Sequence, residues 1–287
     1  MLALGILAAV AASCLYNTSI ALQALEARQV SSEHALRPSL LGRLVRNRRW
    51  LLATGLGLAG WPFEIAALLL APLTVVQPCL ASGLVLLLWL GERRLGEKPG
   101  WREATAVGAI VLGVAGVALA APARTTEHAG AGPIALALAL VALPVLAPYV
   151  LRRPGGIGLL AVFSAGFGYA WTAIASKLLT DELASGEVLG AAAFLATAAG
   201  SEGLALLSEM SALQGRAATQ VAPIMFAVQV LVPVILAPLI FGESWSHTPL
   251  GGAVLLVSLA LAVAGTILVA SSKAVAVVLE SAHRERS

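Results

Sequence analysis

The amino-acid sequence predicts an all-α polytopic membrane protein with nine transmembrane helices, on three observations. Hydrophobic residues fill 59% of the 287 positions and charged residues only 11%, against about 25% charged in an ordinary soluble domain. The mean hydropathy is +0.90, and the apolar residues gather into nine long stretches. Threading these through a membrane with the N-terminus outside and the C-terminus inside puts sixteen of the eighteen Lys and Arg residues on one face, the pattern that marks the cytoplasmic side.

The expected spans are 2–25, 51–71, 75–90, 104–121, 133–150, 157–178, 188–207, 221–241 and 250–270. At 1.5 Å per residue, about 20 residues cross a hydrocarbon core of about 30 Å, so most are adequate and the third is short. A frayed or broken start among Pro72, Thr74 and Pro78 is the expected remedy. The first stretch has no basic residues ahead of it and runs into Tyr16, Asn17, Thr18 and Ser19. It therefore reads as a helix and not as a cleaved signal.

The inside loops carry Arg28, Arg37, Arg43, Arg46, Arg48 and Arg49, then Arg93, Arg94, Lys98 and Arg102, then Arg152 and Arg153, then Arg216, with Lys273, Arg284 and Arg286 in the tail. Arg124 and Lys177 alone fall outside, among Glu127, Asp181, Glu182, Glu187 and Glu243. Lys177, near the outer end of the sixth span, has a side chain long enough to snorkel. A pI near 9.2 spread over short juxtamembrane loops fits anionic lipid head groups as partner, and no nucleic acid. Cys14 and Cys79 fall at membrane depth and predict packing, with no disulfide framework.

The chain repeats itself. Ala67, Thr74, Val76 and Pro78 recur 145 positions later as Ala212, Thr219, Val221 and Pro223, and Gly96-Glu97 recurs as Gly242-Glu243 ahead of a Trp, Trp101 or Trp245. Ala9-Val10 aligns more weakly with Ala161-Val162. Helices one to four then match six to nine, with helix five as connector. The expected organisation is a first repeat over 1–121, a connecting helix over 131–151, a second repeat over 157–272 and a cytoplasmic tail over 273–287. Five helices separate equivalent positions, so the second unit enters from the opposite side. Inverted repeats of this kind build two interconvertible states around a central site, which favours a transporter.

Candidate site residues are the polar groups at membrane depth. Glu64 lies well within helix two, where an ionised carboxylate needs a partner, water or a bound proton. Pro62 just before it is expected to kink the helix and free a carbonyl. Glu202 sits in helix seven, nearer the cytoplasmic end, and reads equally as a structural group. Tyr16, Asn17 and Gln23 on helix one, and Tyr169, Trp171 and Thr172 on helix six, are expected to face the bundle interior as interhelical glue or solute contacts. Gln77, Gln220 and Gln229 on helices three and eight carry the same two readings. Pro223, Pro233 and Pro238 interrupt the ladder of helix eight, in a discontinuous helix or as static kinks.

No enzyme is expected, and no cofactor. The four His residues are scattered over loops, and there is no phosphate-binding Gly-rich loop, nucleophile elbow or His-Glu-x-x-His. Ser13 and Ser201 lack a His partner at similar depth.

With its helix-two stretch from Trp50 through Glu64 to Pro78, the paired segment ending at Pro223, and the Gly-Glu turns at Gly96-Glu97 and Gly242-Glu243, the chain resembles the drug/metabolite transporter (EamA-like) superfamily. Within it the likeness is greatest to the nine-helix, NIPA-like branch of proposed magnesium transporters. It covers about residues 1–272. That branch often has Glu where Trp61 stands and commonly Asn where Glu64 stands, so either the acid has moved by one turn or the ion function is absent. The resemblance implies a secondary transporter of a small solute or cation working by alternating access. A magnesium or other divalent cation and a lipid-linked metabolite are the alternative cargoes, and a non-transporting scaffold subunit is the rival class. The expected location is the cell membrane, as a multi-pass protein of a bacterial plasma membrane. Small-residue runs from Gly108 to Gly116 permit close packing inside the bundle or in a homodimer.

Overall fold

The computed structural model describes residues 2–70, 73–120, 130–151, 157–241 and 249–270. They form helices α1 (Leu2–Ala27), α2 (Pro38–Leu44), α3 (Arg48–Leu70), α4 (Leu73–Arg94), α5 (Trp101–Ala120), α6 (Ala131–Leu151), α7 (Ile157–Ser185), α8 (Val188–Gly215), α9 (Ala218–Phe241) and α10 (Ala253–Ala270), with short 3-10 turns at Ser32–His34 and Pro249–Gly252. Among the described residues, seven helices are long and apolar enough to cross a membrane: Leu2–Ala27, Trp101–Ala120, Gly132–Leu151, Gly158–Ser176, Val188–Gly215, Ala218–Leu236 and Pro249–Val269. Lipid leaves a spanning backbone no partner but itself, which is why the apolar stretches are helical. Their outer faces are apolar as well, with Leu143, Val150 and Leu189 at least 70% exposed, a surface suited to lipid rather than water.

Three helices outrun the stretches read from hydropathy by four residues or more at their C-terminal ends. α4 starts at Leu73 and runs unbroken through 22 residues, about 33 Å at the α-helical rise, where a frayed or broken start was expected. α7 continues past Leu178 to Ser185. α8 continues past Leu207 to Gly215, and its last turns bury Ser208, Glu209 and Ser211. These residues face protein instead of lipid, so their polarity does not end the helix. α9 likewise runs unbroken from Ala218 to Phe241.

The first basic loop also folds. Pro38 opens α2, as its fixed φ suits a first helical position, and Leu40 and Leu44 are buried. The loop is tied to the C-terminal turns of α8, with Ser211 Oγ accepting from Leu36 N at 2.8 Å and Gln214 Nε2 donating to Val30 O at 3.0 Å. Trp50 Nε1 donates to Met210 Sδ at 3.3 Å.

Helix packing falls into two similar sets. α1 packs on α3 and α4, and α4 on α5; α7 packs on α8 and α9, and α9 on α10. α6 lies against α7 and α9, and a close α5–α10 crossing joins the sets. At that crossing a Cβ added to Gly113 would lie 2.6 Å from Ala262 N, and one on Gly265 2.7 Å from Ala106 O. The small-residue run thus packs inside the chain, as close helix approach in lipid demands.

A second join is polar. Glu97, only 3% exposed, accepts from Ala218 N at 2.7 Å, from Thr219 N at 3.0 Å and from Thr219 Oγ1 at 2.6 Å. It therefore caps the first turn of α9, whose N–H groups have no intrahelical acceptor. Arg28 pairs with the same carboxylate and reaches Leu95 O and Arg216 O at 3.4 Å each. The end of α1, the α4–α5 turn and the α8–α9 turn meet on this one carboxylate. The Gly242-Glu243 turn, the tail over 273–287, Pro72, Arg124, Glu127, Arg152 and Arg153 lie outside the described residues.

Two expectations follow. Gly113→Leu lowers the thermal midpoint of the purified protein by several degrees, whereas Gly108→Leu, with nothing within 4 Å of its added Cβ, leaves it nearly unchanged in the same fluorescence melt. Glu97→Ala removes the cap and strands Arg28, costing about 3 kcal/mol, read as a lower denaturant midpoint than that of Glu92→Ala, an exposed acid in the last turn of α4.

Candidate functional site

Each helix set brings one tyrosine onto one glutamate across a helix interface. In the first, Tyr16 of α1 donates its hydroxyl hydrogen to Glu64 Oε2 of α3 at 2.6 Å. In the second, Tyr169 of α7 donates to Glu209 Oε2 of α8 in a very short contact. Glu64 and Glu209 stand 145 positions apart, and Tyr16 and Tyr169 stand 153 apart. A second pair of bonds keeps both offsets. Ser19 Oγ donates to Ala53 O at 2.7 Å, and Thr172 Oγ1 lies 3.4 Å from Ala198 O, with Gly168 O of its own helix nearer at 3.2 Å.

Close backbone approach makes room for the rings. A Cβ on Gly60 would lie 2.7 Å from the Tyr16 ring, and one on Gly168 would lie 2.8 Å from Ala205 Cβ. Gly60 and Ala205 are also 145 positions apart, so the small residue sits on α3 in one set and on α7 in the other. The two pairs differ in access: Glu64 is half-buried, while Glu209 is only 4% exposed. Each carboxyl has a hydroxyl donor and, among the described residues, no Lys or Arg partner, since the one ion pair there joins Arg28 to Glu97. A carboxyl group so placed can bind a cation or carry a proton.

Of the other sequence candidates, Glu202 and Thr172 lie together beside the second pair, and the rest are dispersed. Asn17 is buried and its Nδ2 donates to Ser13 O at 2.9 Å. Gln23, also buried, donates to Thr54 Oγ1 at 3.0 Å. The Gln23 bond ties α1 to α3, while the Asn17 bond stays within α1. Gln220 is buried in the first turn of α9 beside the Glu97 cap, and Gln229 is exposed. Glu202 is exposed on α8, two turns before Glu209. The Trp171 indole nitrogen is buried without a hydrogen-bond partner among the described residues. The side chains of Gln77 and Lys177 lie outside the described residues. Ser13 donates to Leu80 O at 2.5 Å and Ser201 to Gly168 O at 2.8 Å, so both hydroxyls serve helix packing.

Glu209 is the member that sequence reasoning missed. The signal was available: the 145-residue offset that relates Ala67 to Ala212 carries Glu64 onto Glu209 and Glu202 onto Gly57. A polar cluster against α6 was missed too, in which Tyr149 OH meets Ser208 Oγ at 2.8 Å and Ser164 Oγ donates to Val145 O at 2.6 Å. Among the described residues no group of three or more His, Cys, Asp or Glu converges as a metal site. No family model, curated protein or solved structure matches the chain.

The unequal access is measurable. With Cys14 and Cys79 replaced by Ser, a membrane-impermeant maleimide is expected to label Glu64→Cys at least several-fold faster than Glu209→Cys in reconstituted protein. Equal rates from both sides of the membrane would contradict the burial difference.

Proposed function

We propose that the protein is a secondary transporter moving a small solute or cation across the membrane by alternating access. The observation that carries this reading is the twin Tyr–Glu pair: two carboxyl groups each held by a tyrosine of the neighbouring helix, one per helix set, at the same sequence offset as the flanking anchors. The proposal includes nine spans, with α3 and α4 joining the seven apolar helices, and an N-terminus outside. It also includes an inverted relation between α1–α3–α4–α5 and α7–α8–α9–α10 and the resemblance to drug/metabolite transporters.

In that topology α3 runs outward and α8 runs inward. Glu64 then lies toward the outer end of the bundle and Glu209 toward the cytoplasmic end. The half-buried Glu64 and buried Glu209 correspond to a state open to the outside, closed below by the Arg28–Glu97 contact with α9. The reverse state exchanges the two exposures, as inverted repeats allow. Two acids without a basic partner among the described residues favour a cationic cargo or a proton as coupling ion. With a divalent cation as cargo, an ion keeping several of its waters needs only one or two carboxylates.

Reconstitution into liposomes tests the proposal. Gradient-driven flux, assayed first with magnesium and then with organic cations and neutral metabolites, is expected to fall at least tenfold in both Glu64→Gln and Glu209→Gln while elution profile and helicity stay unchanged. Undiminished flux in both variants would remove the paired acids from the mechanism; folded protein moving none of these solutes would favour the scaffold reading.

A further inference from the structure

We propose that the α1–α4 groove is a binding site for one anionic phospholipid, independent of whether the protein transports. A cavity of about 190 Å³ lies between these helices, lined by Thr18, Ala21, Leu22, Leu25, Leu90 and Arg94. Its walls are apolar and its mouth is cationic. From Thr18 to Leu25 the groove follows α1 for about 10 Å at the helical rise, two-thirds of the roughly 15 Å that one leaflet contributes to the hydrocarbon core. The direction also fits, because Leu90 and Arg94 are one turn apart at the C-terminal end of α4, which the proposed topology puts at the cytoplasmic interface.

Three arginines at the C-terminal ends of α1 and α4 are used differently. Arg28 is paired with Glu97. Arg93 stacks over the Trp89 ring at 5.3 Å from its centroid, which anchors the end of α4 at the interface. Arg94 is exposed, lines the groove and has no acidic partner among the described residues. A guanidinium there matches a lipid phosphate, which it can hold through two parallel hydrogen bonds, while an acyl chain lies against Leu22, Leu25 and Leu90. A soluble anion would use Arg94 and leave the apolar walls empty, and a zwitterionic lipid would fill the walls but offer the arginine no net charge. Charge and shape together therefore select an anionic lipid.

Native mass spectrometry of the full-length protein, released from mixed micelles of phosphatidylglycerol and phosphatidylcholine, tests this. The expected result is one retained phosphatidylglycerol, favoured over phosphatidylcholine by at least fivefold. Arg94→Gln should cut that preference about fivefold, as expected for one interfacial cation. Leu22→Trp, which fills the groove without touching charge, should cut retention of the bound lipid with the melting curve preserved. Arg46→Gln, an exposed arginine on the α2–α3 loop, should change neither. Equal retention of both lipids, an equal loss in Arg46→Gln, or full competition by glycerol phosphate would each overturn the site.

Discussion

Inside a hydrocarbon layer a polar side chain has no water to fall back on, so it turns to the donors and acceptors that its own helix or a neighbouring one presents. That constraint organises this molecule. Ser13, Ser19, Gln23 and Ser201 each donate across a helix interface, and each such bond fixes which faces of α1, α3, α4, α7 and α8 meet. Apolar burial separates helices poorly from lipid, because a leucine is as well solvated by an acyl chain as by another leucine. The small polar residues and glycines therefore carry the specificity of the fold.

The same contact is built with exchanged partners in the two helix sets. Ser13 of α1 lies where a Cβ on Gly83 of α4 would collide with it. The corresponding positions are Gly166 of α7 and Val228 of α9, where the glycine has moved to the other helix and its Cβ would lie 2.8 Å from the valine. Both crossings pair a glycine with a larger residue, although none of the four residue types matches its counterpart.

Hydropathy made the long helices legible because nearly all of their outer surface faces lipid. It failed where the environment changes: the end of α8 stays helical through Ser208, Glu209 and Ser211 because those residues face α6, α7 and the first loop. α2 was hidden in a charged loop because only Leu40 and Leu44 of its seven residues are deeply buried. Glu64 and Tyr16 were legible as candidates from depth alone, and their hydrogen bond was not, since nothing in either local segment reports on a helix 48 positions away. Glu209 was overlooked in favour of Glu202 because position along a helix was weighed above register within the repeat. Glu202 is exposed, while Glu209 meets the tyrosine.

The Glu97 contact also bears on how the chain is made. Its carboxylate waits on an N-terminal turn 121 residues further along, and at translation rates of about 5–20 residues per second that turn emerges several seconds later. During this interval the first helix set sits in the membrane with Arg28 as the acid's partner and no cap. The order of insertion thus leaves a half-built intermediate whose polar end is unfinished, ready to receive the second set and vulnerable to quality control until it arrives.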